Sequence, residues 1–117
     1  TTSITANCEF CVDMNSYDHD RAGLRDAELA ALSGGDVYRT KTFTAAERLA
    51  IEYTRRISST PLVFPEELMS ELREEFSERE LVILASTAAQ VNYWARVIQA
   101  LGVPPAGFGE ACRVPRT

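Results

Sequence analysis

The sequence predicts an all-α fold. Apolar residues recur at helical spacing in several segments, and Ser/Thr-x-x-Glu capping boxes begin at Thr44 and at Ser77, directly before two of these segments. No segment shows the sustained period-two alternation, bounded by turn residues, that is typical of a strand. The chain has 117 residues, 45% of them apolar and 25% charged, which is the size and composition of one globular domain.

Two helices are predicted in the N-terminal third of the chain. Asn7 is a favourable N-cap residue, so a helix is expected to begin near Cys8 and to end at Gly23. Asp26 is expected to cap a second helix, which is followed by a loop over residues 36–43.

Three further helices are predicted in the rest of the chain. The first begins after Thr44 and stops before Pro61, the second has Pro65 at its first position, and the third runs from Ser77 to Gly102. The last helix is apolar on most of its circumference, as shown by Leu81, Val82, Ile83, Leu84, Val91, Tyr93, Trp94, Val97, Ile98 and Leu101. Such a helix is expected to be buried, and in a domain this small its burial needs a second subunit, so we expect an oligomer.

Charge and hydropathy exclude several function classes. The net charge of −5 argues against a surface for nucleic acid or for an anionic membrane. The most apolar stretch, residues 81–101, is interrupted by polar side chains and is not expected to span a membrane. No signal peptide is recognisable, and three cysteines are too few for a secreted disulfide framework. We therefore expect a cytoplasmic protein.

The Cys8-x-x-Cys11 pair is the motif that points most directly to chemistry. This spacing lets two thiols close a small disulfide or bind one metal ion, so redox and zinc sites are both open on spacing alone. At the start of a helix, the helix dipole and free backbone N–H groups lower the pKa of a thiol and favour a nucleophilic thiolate.

The single predicted domain covers residues 1–117, and residues 103–117 form a tail rich in Pro and Gly. The sequence begins at Thr1 without Met, and the cysteine pair follows at once. We therefore expect an N-terminal helix to be missing upstream.

Segments 7–14 (Asn-Cys-Glu-Phe-Cys-Val-Asp-Met), 43–53 (Phe-Thr-x-x-Glu-Arg-x-Ala-x-Glu-Tyr), 76–82 (Phe-Ser-x-Arg-Glu-Leu-Val) and 91–94 (Val-Asn-Tyr-Trp) occur in this order. Together they resemble the carboxymuconolactone decarboxylase and alkylhydroperoxidase-D superfamily, from about Ala6 to Phe108. The resemblance implies a helical alkylhydroperoxidase-D-like bundle that assembles into trimers or hexamers, with the thiol pair in a pocket near subunit contacts.

The resemblance also implies a role for each cysteine. In the peroxidase branch the second cysteine attacks a hydroperoxide and the first resolves the sulfenic acid, so Cys11 would be peroxidatic and Cys8 resolving. That branch usually has a His four residues after the second cysteine, where this chain has Asn15, which cannot relay a proton at neutral pH. His19 is the alternative relay, or else a solvated residue in a polar run. The glutamate that the family places twelve residues before the first cysteine falls outside this chain.

Several further residues have plain structural interpretations. Glu80 precedes Val91-Asn92-Tyr93 much as the family's glutamate precedes the Asn7-Cys8 motif, which resembles an internal repeat. The place of Glu80 in the Ser77 capping box accounts for this residue without a repeat. Arg96, if buried, is expected to pair with a carboxylate such as Glu47 or Glu52. Cys112 lies outside the matched motif and is assigned no role.

Three function classes remain open at this point. The first is a thiol-dependent peroxidase or disulfide reductase, which needs no metal or organic cofactor but only a thioredoxin-like or lipoyl-type reductant. The second is the decarboxylase or lactone branch of the same superfamily, which does not generally depend on a C-x-x-C pair. The third is a non-catalytic oligomeric scaffold with a redox-sensing thiol pair. A zinc ion shared by two chains, each giving Cys8 and Cys11, is a fourth and weaker interpretation.

Overall fold

The computed structural model describes residues 1–16, 23–32, 37 and 41–107, and every regular element within these ranges is an α-helix. The prediction of an all-α fold is confirmed for these residues. The helices are α1 (Thr2–Thr5), α2 (Glu9–Ser16), α3 (Asp26–Leu32), α4 (Ala45–Ile57), α5 (Glu66–Glu75) and α6 (Glu78–Ala100). The four-residue helix α1 was not predicted, because a single turn carries no apolar periodicity.

Helix α6 contacts α1, α4 and α5, and α1 in turn packs on α2 and α4. Leu72 of α5 is fully buried, and a second apolar cluster joins α3 to α4 through Ala31, Val37, Phe43 and Ile51. The cysteine-bearing helix α2 packs on α1, and α1 connects it to α4 and α6.

The caps of α4 and α6 follow local sequence rules. The Thr44 hydroxyl accepts from the Glu47 N–H at 3.1 Å, and the Glu47 carboxylate accepts from the Thr44 N–H at 2.9 Å, so this predicted capping box is confirmed. At α6 the Ser77 hydroxyl accepts from the Glu80 N–H and donates to the Glu80 carboxylate, so the Ser77 half of the predicted capping box is formed. Pro65 is the N-cap residue of α5 and makes no side-chain cap, so α5 begins at Glu66, one residue later than predicted.

The start of α3 differs from the prediction by one residue. Asp26 is the first helical residue, and Arg25 takes the capping position because its carbonyl accepts from the N–H of Leu29. The Glu28 carboxylate reaches back to the Arg25 N–H at 2.9 Å. This hydrogen bond, together with one from the Thr42 side chain, holds the pKa of Glu28 below its usual range.

A seam of buried polar side chains lies between α1, α4 and α6. The Asn92 amide donates to the Ala88 carbonyl at 2.8 Å and to the Ser58 hydroxyl at 3.0 Å. The Ser58 hydroxyl in turn donates to the Thr54 carbonyl at 2.7 Å, and the Thr2 hydroxyl lies within 3.4 Å of it. These bonds join the start of α1 and the end of α4 to the interior of α6, although the buried side-chain oxygen of Asn92 has no hydrogen-bond partner among the described residues.

The expected burial of α6 holds for one of its faces. Ala88, Asn92 and Ala95 are buried in the single chain. A second face carries no charged residue over positions 82–101 and is exposed, with Val82, Ile83, Tyr93, Trp94 and Leu101 each more than half exposed. We call this second face the uncharged face of α6.

No helix in the described part of the chain is both long enough and apolar enough to cross a membrane.

Candidate functional site

A turn between α1 and α2 sets the position of the cysteine pair. The Cys8 N–H donates to the Ser3 carbonyl and the Asn7 N–H donates to the Ile4 carbonyl, both at 3.0 Å, which is the hydrogen-bond pattern of a Schellman motif. Asn7 has a positive φ of 53°, a conformation that Asn tolerates better than most residues. Asn7 therefore ends α1, and the prediction that it caps α2 was wrong by one position.

Cys8 itself takes the capping position of α2. Its carbonyl accepts from the Val12 N–H at 2.9 Å, and its sulfur accepts from the Cys11 N–H at 3.3 Å. The prediction that both cysteines lie at the first turn of a helix is confirmed. A sulfur in this position meets a free N–H and the positive end of the helix dipole, both of which stabilise a thiolate.

Cys8 and Cys11 form a disulfide across this first turn, with their Cα atoms 5.2 Å apart. The Cα separation lies within the usual range for a disulfide. The structure therefore brings together the two residues that the motif predicted as a redox pair. In this state both sulfurs are bonded to each other, so neither is available as a thiolate ligand for a metal ion.

The disulfide is buried on α6. Cys8 is 0% exposed and Cys11 is 2% exposed, and both pack against the fully buried Ala95, with Phe10 and Ile98 at the edge of the cluster. The small side chain at position 95 leaves room for the disulfide against α6. Gln99, one turn further along α6, donates to the Ala6 carbonyl at 3.0 Å and holds the segment that leads into Cys8.

Asn15, the predicted relay position, joins α2 to α1. Its side-chain amide donates to the Cys11 carbonyl at 2.8 Å and to the Ser3 hydroxyl at 3.0 Å. Because the amide nitrogen faces the Cys11 carbonyl, the side-chain oxygen is the group that remains as an acceptor. Sequence reasoning did not single out Ser3, since its relation to Asn15 depends on the turn at Asn7.

Two predicted residues cannot be placed. His19, the alternative relay, and Cys112 lie outside the described residues. Asp13 accepts a hydrogen bond from the Gly107 N–H at 3.0 Å, so the segment after α6 returns to the cysteine-bearing helix.

Arg96 does not pair with either predicted carboxylate. Its guanidinium lies 3.5 Å from the Thr60 hydroxyl, whereas Glu52 pairs with Arg56 at 2.9 Å and Glu47 caps α4. The expectation assumed a buried Arg96, but the side chain is exposed, so it needs no buried counter-charge.

A cavity of 380 Å³ lies between the N-terminal helices and α6. Among the described residues, the side chains that line it are uncharged, and Thr1 also lines it with its α-amino group, whose pKa is lowered by burial and by Arg55. Its walls include Ser3, Val12, Asn15, Leu29, Leu84 and Thr87. The pocket therefore meets α2 at Val12, one residue after Cys11, and at Asn15, one helical turn after Cys11.

Residues 1–16, 23–32, 37 and 41–107 hold no group of three or more His, Cys, Asp or Glu side chains placed to bind a metal ion. A zinc site would thus need ligands from a second chain or from the remaining residues.

Comparison with known proteins gives two relatives. The chain is 34% identical over 109 residues to the uncharacterized protein YnjA of Escherichia coli (strain K12), covering 92% of this chain and 57% of that protein. It is 28% identical over 96 residues to the uncharacterized protein YdfG of Bacillus subtilis (strain 168), covering 81% of this chain and 64% of that protein. The chain thus spans less than two thirds of the length of either relative. No family model matches the chain, and no solved structure matches it.

Proposed function

We propose that this chain belongs to the carboxymuconolactone decarboxylase and alkylhydroperoxidase-D superfamily and acts as a thiol-dependent peroxidase or disulfide reductase. The observation that supports this proposal most directly is the Cys8–Cys11 disulfide across the first turn of α2. Two sulfurs that close a disulfide within one helical turn can alternate between thiol and disulfide with little movement of the backbone.

The reaction begins with the reduced pair. The Cys11 thiolate attacks one oxygen of a hydroperoxide, the O–O bond breaks, and the leaving alkoxide takes a proton to become an alcohol. The sulfenic acid on Cys11 then condenses with the Cys8 thiol, which forms the disulfide and releases water. A dithiol of thioredoxin-like or lipoyl type returns two electrons and two protons and becomes a disulfide itself.

The hydrogen bond from the Cys11 N–H to the Cys8 sulfur supports a division of labour in the reductive step. When an external thiolate attacks Cys11, Cys8 leaves as a thiolate, and this N–H together with the helix dipole stabilises the leaving sulfur. A better-stabilised leaving thiolate departs faster in thiol–disulfide exchange. The reductant is therefore expected to form its mixed disulfide with Cys11.

The uncharged face of α6 supports the oligomer that the resemblance implies. Five large apolar or aromatic side chains on this face are between 51% and 75% exposed in the single chain. Exposed apolar surface of this extent is typical of an interaction surface. We propose that further copies of this chain cover it, in a trimer or hexamer.

One observation favours a second candidate, a non-catalytic scaffold with a thiol pair. Cys8 and Cys11 are almost fully buried in the disulfide state, so a reductant has no direct access to either sulfur. In a peroxidase this burial has to be relieved by a local opening of α2, whereas a scaffold has no such requirement.

The deciding experiment follows thiol oxidation by intact mass. The reduced protein is treated with one equivalent of cumene hydroperoxide and then alkylated, with Cys8→Ser and Cys11→Ser variants in parallel. Rapid loss of two alkylatable thiols in the wild type, with a sulfenic acid trapped on Cys11 in Cys8→Ser, is the expected result. Thiols that stay alkylatable would refute the peroxidase and leave the scaffold, while a sulfenic acid on Cys8 alone would reverse the two roles.

A further inference from the structure

The segment that follows α6 returns to α2 and is hydrogen-bonded to it. Gly102 has a positive φ of 67°, a conformation that commonly turns the chain at the end of a helix. Beyond this turn, the Gly107 N–H donates to the Asp13 carboxylate at 3.0 Å. We call residues 103–107 the strap. It joins the end of α6 to the helix that carries the cysteines.

Asp13 and Cys11 lie on opposite sides of α2. Two positions along an α-helix correspond to a rotation of about 200°. Cys11 packs against Ala95 of α6, so Asp13 is on the side of α2 that faces away from this contact. Because the strap leaves from the end of α6 and is bonded to Asp13, α2 is held between α6 on one side and the strap on the other.

The length and composition of the strap suit this arrangement. From Leu101, the C-cap residue of α6, to Gly107, an extended chain spans about 20 Å, more than the ~10–12 Å diameter of a helix with its side chains. Pro104 and Pro105 limit the conformations that the strap can adopt, which lowers the entropy cost of closing it. All five strap residues are exposed, so detachment of the strap breaks few packing contacts.

We propose that the strap controls access to the disulfide, and that Asp13 is the residue that positions it. Cys8 is 0% exposed and Cys11 is 2% exposed, so an external thiolate reaches Cys11 only after α2 has moved away from Ala95. The strap opposes this movement while the hydrogen bond from Gly107 to Asp13 is formed. When the bond breaks, α2 separates from α6 and the disulfide meets solvent. An external dithiol then gives two electrons and two protons to the pair, which becomes two thiols, and is itself oxidised to a disulfide.

Two variants of Asp13 test the proposal through the rate of disulfide reduction. The oxidised protein is mixed with excess dithiothreitol and quenched with iodoacetamide at set times, and the newly alkylated thiols are counted by intact mass. Asp13→Ala removes the acceptor and is expected to speed reduction about tenfold or more, because a hydrogen bond to a charged group shifts an opening equilibrium by that factor.

Asp13→Asn is the matched control. It loses the same charge but keeps a side-chain oxygen that can accept from the Gly107 N–H, so its reduction rate should stay within about threefold of the wild-type rate. Reduction of Asp13→Ala at the wild-type rate would overturn the proposal. So would equal acceleration in the two variants, since charge and not the hydrogen bond would then control the rate.

A variant at the other end of the bond separates it from any further contact of Asp13. Gly107→Pro removes the N–H donor in an exposed segment outside the helices. It is expected to speed reduction as much as Asp13→Ala does, and the double variant should be no faster than either single variant, because both changes remove the same bond. Accelerations that multiply in the double variant would contradict the proposal.

Two measurements distinguish release of the strap from unfolding of the whole chain. In the wild type, the exposed Gly107 amide is expected to exchange its hydrogen about tenfold more slowly than in an unstructured peptide of the same sequence, and exchange at the peptide rate would overturn the proposal. In Asp13→Ala, the reduction rate should change little at low urea, because a local opening exposes little surface. A rate that rises with the full urea dependence of global unfolding would also overturn it.

The role of the strap in turnover rests on the proposed peroxidase or reductase function, whereas its control of disulfide access does not. A strap-dependent reduction rate in a protein whose thiols do not react with cumene hydroperoxide would support the strap and refute the peroxidase. Thiols that react rapidly with cumene hydroperoxide in a protein whose disulfide is reduced equally fast with and without the Asp13 carboxylate would support the peroxidase and refute the strap.

Discussion

Reduction of the Cys8–Cys11 disulfide is expected to lower the free energy of unfolding by only about 2 kcal/mol. The bond joins residues three positions apart and closes a loop of four residues, 8 through 11. A cross-link of this length removes about 6 cal/mol/K of entropy from the unfolded chain, which is about 1.9 kcal/mol at 25 °C. The folded state loses little, because two buried thiols pack against Ala95 as small apolar groups.

Urea unfolding followed by far-UV circular dichroism, with and without dithiothreitol, measures this difference. A Cys8→Ala/Cys11→Ala variant is the control, because the reductant should not alter its unfolding midpoint. A loss of 4 kcal/mol or more on reduction, or the loss of a cooperative transition, would show that the disulfide holds the fold together. That result would refute the entropy estimate and would favour the scaffold over the peroxidase, since a catalytic pair must remain folded when reduced.

Two further predictions concern single residues. Asn15→His should raise peroxide turnover by about 10²-fold near pH 7, because imidazole can act as a general acid. Stopped-flow measurement of thiol oxidation tests this prediction. An unchanged rate in a correctly folded variant would show that position 15 is not the proton source. Glu28→Gln should lower the urea midpoint at pH 7, because the depressed pKa of Glu28 stabilises the fold only while the carboxylate is ionised. This stability is present above the unfolded pKa of about 4.3 and is lost as the pH falls through the folded pKa. The urea midpoints of the wild type and Glu28→Gln should therefore converge on acidification. A difference between these midpoints that is constant between pH 7 and pH 3 would contradict the stabilising role of the Glu28 carboxylate.

Local signals in the sequence were sufficient for several elements of the fold. The capping box at Thr44 depends on residues three positions apart, so it could be predicted without knowledge of the tertiary structure. Asn7 was placed wrongly because Asn is favoured both as an N-cap and in the left-handed conformation that ends a helix. The choice between the two depends on whether a helix precedes, and α1 is too short to show a periodic pattern.

The disulfide of the candidate site could be predicted from the cysteine spacing, whereas the contacts around it could not. The Cys8–Cys11 spacing predicted a pair that can close a disulfide, because the first turn of a helix brings such residues together. The contact of Asn15 with Ser3 joins residues twelve positions apart across a turn, and no pattern in the sequence indicates it. The exposure of Arg96 likewise depends on how α6 packs against its neighbours, which hydrophobic periodicity does not determine.

The turn at Asn7 makes the link between α1 and α2 unusually intolerant of changes in length. Inserting or deleting one residue there would disrupt the hydrogen bonds from the Cys8 N–H to the Ser3 carbonyl and from the Asn7 N–H to the Ile4 carbonyl, which set the direction of α2. The sulfurs would then lose their place against Ala95, and Asn15 its place beside Ser3. Most surface connections drift freely in length over evolutionary time, whereas this one has to keep its residue count for as long as the cysteines keep their place.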